Sequence, residues 1–220
     1  MKKLSFLLVV MVFAAFGSAN AYYITYDYVG VGGLPSSPVP GAIVNTFDPS
    51  PGLPWTYEGS YTITSGSASG LYAAPWNFIA PTGQDTTNYI SVPKPNDGTG
   101  SVRVTNLGGF YSYFGIWWGS MDTYNTLEFY NGNTLVASVT GSEVANPSAN
   151  GNQTFGGTNR YVNIFFNWNT EKFDNFIMKS TQYAFEADNI ALATPEPVSM
   201  LLFGTGLLGV GGYIRRKFKK

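Results

Sequence analysis

The chain has 220 residues, with 12 Lys and Arg against 13 Asp and Glu, 16% aromatic side chains, and neither cysteine nor histidine. Those absences exclude disulfides, a thiolate nucleophile, zinc held by Cys or His, and a Ser-His-Asp relay. Between Tyr22 and Thr194 only five basic residues (Lys94, Arg103, Arg160, Lys172 and Lys179) stand against twelve acidic ones, a net charge of −7, which argues against nucleic acid and anionic membrane surfaces as partners and favours cations and neutral polymers.

At the N-terminus, Lys2 and Lys3 precede an apolar run from Leu4 to Phe16 and the small-residue site Ala19-Asn20-Ala21. This pattern predicts a secretory signal peptide over residues 1–21, removed by signal peptidase after Ala21. The exported domain is then residues 22–194, a length that suits one hydrophobic core. Its aromatic and β-branched residues fall in short runs separated by Gly, Pro, Asn, Asp and Ser, which predicts an all-β domain. Strands are expected near 22–29, 42–47, 55–64, 87–92, 101–107, 111–118, 124–130, 134–140, 161–168, 173–180 and 182–192, enough for two packed sheets. The stretches 30–41, 65–70, 80–86, 93–100 and 141–159 read as loops. Asn131-Gly132-Asn133 between Thr126–Tyr130 and Thr134–Val139 predicts a hairpin with a three-residue loop.

The middle strands divide their aromatics by parity. Phe114, Ile116 and Trp118 fall on one face with Leu127 and Phe129, and this set reads as core. Tyr111, Tyr113, Trp117, Tyr124 and Tyr130 fall on the other, where flat amphipathic rings on a wet sheet form a platform on which a sugar stacks. The alternative is that these rings cover a second layer or fill cross-strand pairs.

In the last strand, Phe185 and Ala187 share one parity while Ile190 and Leu192 share the other. Burying all four requires a bulge near Asp188-Asn189. The oxygens of Asp48, Glu186, Asp188 and Asn189 suit a hard cation such as calcium, and the alternative is that they are solvent-facing or turn-stabilising groups. Asn45-Thr46-Phe47-Asp48 followed by Pro51-Gly52-Leu53-Pro54-Trp55, together with the closing run Tyr183–Leu192, resembles the two ends of carbohydrate-binding-type jelly-roll modules. That resemblance implies a jelly-roll-like β-sandwich whose first and last strands lie side by side with a structural Ca2+ between them.

The C-terminus carries Pro195-Glu196-Pro197, an apolar run from Val198 to Ile214, and the basic end Arg215-Arg216-Lys217-Phe218-Lys219-Lys220. The apolar run is near the lower length limit for a transmembrane helix, and the basic end holds it cytoplasmic. The prolines keep the chain before the membrane extended and open to a protease. Residues 195–220 resemble the PEP-CTERM sorting tail of Gram-negative surface proteins. The resemblance implies a transient inner-membrane anchor, cleavage by an exosortase-like membrane protease, and delivery to the cell surface or extracellular matrix, with exopolysaccharide or biofilm as partner. The expected function is a non-catalytic matrix component. A dedicated carbohydrate-binding module is the alternative, and a carboxylate-dependent glycan hydrolase is the more remote one.

Overall fold

A computed structural model describes residues 22–50, 52–79 and 81–194. In chain order the strands are β1 (Tyr23–Thr25), β2 (Val29–Val31), β3 (Leu34–Ser36), β4 (Ile43–Asn45), β5 (Thr56–Gly59), β6 (Thr62–Thr64), β7 (Trp76–Asn77) and β8 (Gly83–Gln84). They continue with β9 (Tyr89–Val92), β10 (Gly100–Thr105), β11 (Tyr113–Gly119), β12 (Asn125–Asn131) and β13 (Thr134–Thr140). After the single helical turn α1 (Gly141–Val144) come β14 (Arg160–Phe165), β15 (Asn175–Ser180) and β16 (Phe185–Ala193).

These strands build a jelly-roll-like β-sandwich. One sheet has seven strands in the order β1-β14-β11-β16-β9-β6, with β4 also on β16, and the other has five in the order β13-β12-β15-β10-β5. Every pairing is antiparallel, so each inner face alternates apolar residues with outward ones. The expected strand over 55–64 is two strands in different sheets: β5 pairs with β10, whereas β6 pairs with β9. The chain changes sheets after Gly59, whose φ is +130° and where a Cβ would lie 2.1 Å from the Ser101 carbonyl oxygen, so only glycine fits. The hairpin forms as expected, but Asn131 pairs with Thr134 and leaves only Gly132 and Asn133 in the turn.

The core between the sheets is aromatic. Phe114 meets Phe129 and Phe176 edge-on, each at 4.9 Å between centroids, and Trp118 stacks on Phe185 at 4.4 Å. Such pairs add directional attraction to the burial of large apolar area. With no disulfide available, this packing carries the stability of the domain.

The phase slip in β16 is present. Gly115 pairs with Ala191 while Trp117 pairs with Asp188, so Ile116 opposes an extra residue, and Asn189 sits at φ +48°. The bulge returns Ile190 and Leu192 to the core that holds Phe185 and Ala187. It also marks the point where the far edge of β16 passes from β9 to β4.

The outer face of the seven-stranded sheet is covered rather than wet. The segments around β3, β7 and β8, read as loops or missed from sequence, are tied down onto it. Asn189 Nδ2 donates to the Pro35 carbonyl at 2.6 Å, Ser37 Oγ and the Tyr113 hydroxyl share a 2.7 Å bond, and the Trp76 amide donates to Asn159 Oδ1 at 3.0 Å.

Candidate functional site

The site grows from the outward side of β16. Because Phe185 and Ala187 face the core, Glu186 and Asp188 project the other way, under the covering segments. Their surroundings differ. Glu186 accepts from the Ala73 amide at 2.9 Å and from Ser120 Oγ at 2.7 Å. Burial pushes its carboxyl up to about 7, with those two hydrogen bonds opposing the shift.

Asp188 is 0% exposed, and neither of its carboxylate oxygens has a donor among the described residues. It faces Asp85, itself buried, whose Oδ1 accepts from the Thr87 amide and hydroxyl while Oδ2 has no partner. Burial drives the Asp188 carboxyl well above the ordinary carboxylate range, and the neighbouring charges of Asp85 and Asp48 add to the shift. Asp85 is raised as well, first by burial. Asp48 completes the group from the solvent side, where it accepts from Asn88 Nδ2 at 2.6 Å.

Of the four expected cation ligands, the structure therefore brings Asp48 and Asp188 together and places the other two elsewhere. Glu186 is engaged by Ser120 and Ala73, and the Asn189 side chain is spent on Pro35. Asp85 takes their place. No sequence pattern ties it to Asp188; only its Asx turn onto Thr87 marks it as ordered. Among the described residues no group of three or more His, Cys, Asp or Glu side chains is placed to hold a metal ion. The carboxylate oxygens left without a partner are those of Asp85 and Asp188, and hard cations that accept them complete their shell with carbonyls or water.

Glu186 also borders a polar cavity of about 270 Å³, with Tyr72, Ser120, Asp122, Tyr124 and Gln153 among its walls. Burial raises the Asp122 carboxyl. Gly151 permits its approach, since a Cβ there would lie 2.4 Å from Asp122 Oδ2.

The expected five-ring platform is not formed. Tyr111 packs in the core against Phe173, with its hydroxyl on the Leu107 carbonyl. Tyr113 is buried beneath Ser37 and bonds Asn163, and Trp117 is 0% exposed. Tyr124 and Tyr130 are half-buried on another sheet, Tyr124 donating to the Tyr183 carbonyl and Tyr130 to Glu128. Parity placed Tyr113 and Trp117 on the outer face, but it carries no information about a covering layer. Trp117 does border a smaller aromatic pocket with Tyr26, Tyr28, Trp76 and Phe78. No sequence pattern marks that grouping, because the rings come from separate segments.

The fold and the tail together define a class: a β-sandwich carrying a C-terminal protein-sorting signal. Residues 193–217 match the PEP-CTERM protein-sorting motif, which marks an exported, surface-sorted protein processed by an exosortase-type system. No curated protein matches the chain. A solved structure, the K2 cleaved adhesin domain of Lys-gingipain, is similar at 13% identity over 70% of this chain and 98% of that chain with a TM-score of 0.32, and at that score the likeness carries no weight for fold or function. The expected processing residues Ala19, Ala21, Pro195, Glu196, Pro197, Arg215 and Arg216, and with them the expected membrane helix, lie outside the described residues. Among the described residues no helix is long and apolar enough to cross a membrane.

Proposed function

We propose that the protein is a non-catalytic component of the extracellular matrix, released to the cell surface by exosortase-type cleavage and associated there with exopolysaccharide. The observation that carries this reading is the sorting motif at residues 193–217 joined to an acidic β-sandwich. A non-catalytic role is supported by the state of the acids. Glu186 is 1% exposed with both carboxylate oxygens engaged by Ala73 and Ser120, and Asp188 is 0% exposed. Carboxylate-pair hydrolysis needs both acids at the scissile bond.

A structural calcium ion held by Asp85 and Asp188, its shell completed by carbonyls or water, belongs to the same proposal. Buried carboxylates without donors are strongly unfavourable unless neutralised, and a divalent cation neutralises two at once. In an exported domain without disulfides, such an ion would clamp the segment between β8 and β9 to the last strand.

The test is the surface form from the native host. Its intact mass should place the N-terminus at Tyr22 and the C-terminus near Pro195-Glu196-Pro197, and it should fractionate with exopolysaccharide. Retention of Arg215 through Lys220 on the surface form would mean a plain membrane anchor instead.

A further inference from the structure

Above Trp117 the outer face opens into a pocket of about 190 Å³ whose walls include Tyr26, Tyr28, Trp76, Phe78 and Arg160. We infer that this pocket is a sugar-binding subsite that takes one neutral pyranose-type ring of a polysaccharide. The inference rests on the exopolysaccharide reading and adds to it a location and a ligand class.

The rings are presented to solvent rather than packed away. Tyr26, Tyr28 and Phe78 remain 39%, 45% and 42% exposed. Trp76 and Phe78 are also held in place. β7 pairs with β8, the Trp76 amide is fixed by Asn159 Oδ1, and Asn77 Nδ2 donates to the Gly33 carbonyl at 2.7 Å, so Trp76 and Phe78 project from an anchored strand. Gly156 lines the pocket beside the Phe78 ring. Rigid, half-exposed rings present flat apolar area at little entropic cost on binding, which is what the C–H face of a sugar needs.

Arg160 supplies the polar component. Its guanidinium lies 4.0 Å over the Tyr26 ring, one Nη donates to the Val144 carbonyl at 3.3 Å, and it forms no ion pair among the described residues. Arg160 Nε and Trp117 Nε1 are buried and have no acceptor among the described residues. The Arg160 guanidinium lines the pocket, and its N–H groups suit a ligand rich in acceptor oxygens. A neutral ligand fits better than an anionic one because the exported domain carries a net charge of −7, which repels a polyanion, while stacking does not depend on charge.

Binding of the exported protein to neutral gluco-, manno- and galacto-oligosaccharides, to polygalacturonate and to the host's purified exopolysaccharide tests this directly. Tyr28→Ala and Phe78→Ala should each weaken binding to a neutral oligosaccharide about fivefold, with the melting temperature nearly unchanged because both side chains are half-exposed. Binding should persist at high salt. Retention of the exopolysaccharide by both variants as by the parent, or binding to polygalacturonate alone that collapses with salt, would overturn the pocket while leaving the matrix reading standing. If the parent protein does not retain the exopolysaccharide at all, the matrix reading fails along with the pocket.

Discussion

Asp188 and Asp85 face one another inside the domain, and three of their four carboxylate oxygens have no hydrogen-bond donor among the described residues. Two uncompensated acids cannot both stay ionised there, so the pair either shares a proton or holds a cation. If calcium binds only the folded protein, it stabilises it by roughly 2.7 kcal/mol when present at 100 times its Kd. Chelation should then lower the melting temperature, and Asp188→Asn or Asp85→Asn should abolish the response to chelator. A melting curve indifferent to calcium in the parent protein would assign the pair a shared proton.

The same acids set a pH dependence of defined sign. Glu186 is raised from its ordinary value to about 7, and Asp188 and Asp85 are raised too, so between the unfolded and folded values the native state binds more protons than the unfolded one. Stability without a divalent ion should therefore fall as pH rises from about 4.5 toward 7, with Glu186 alone contributing up to about 3 kcal/mol. Glu186→Gln should flatten part of that slope, and saturating calcium should flatten the part due to the Asp pair. Urea midpoints at pH 5 and pH 8, with and without calcium, separate the two contributions. A midpoint higher at pH 8 in chelator would contradict the burial of these groups as acids.

The sequence disclosed the sandwich because its signals are local. Strand parity separated Phe114 and Trp118 from their neighbours, and the mismatch between Ala187 and Ile190 disclosed the bulge. The covering layer was not legible. β3, β7 and β8 have two or three residues each, too few for alternation to register, and they are held by long-range bonds such as Asn189 to Pro35 and Asn77 to Gly33. That layer is what buries Trp117 and Tyr113 and brings Asp85 to Asp188. The site residues misjudged from sequence are therefore those whose surroundings come from distant chain.

Trp117 and Trp118 make the point testable. They lie on opposite faces of β11, yet both are 0% exposed, one beneath the covering layer and one stacked on Phe185. Replacing either with alanine should cost about 3–5 kcal/mol, as for other buried large aromatics. Thermal denaturation of the two variants should show comparable losses. A small loss for Trp117→Ala alone would mean that the covering layer is not packed onto the sheet in solution.

Asn189 is the residue on which the closing strand depends. Its φ of +48° is tolerated by Asn and Gly but disfavoured for β-branched residues, and its side chain also holds the covering layer through the 2.6 Å bond to Pro35. Asn189→Gly keeps the backbone and loses one hydrogen bond, which should cost about 1 kcal/mol. Asn189→Val loses the bond and strains the backbone, so it should cost about 2–3 kcal/mol. Deleting Asn189 should be worse than either. It restores the two-residue period, which turns Ile190 and Leu192 out of the core and Ala191 and Ala193 into it, and the lost contacts of two large side chains exceed the margin of a typical domain when combined with the broken register. Equilibrium unfolding should rank the three as Gly, Val, deletion. A deletion variant as stable as the glycine variant would show that the bulge does not set the register of β16.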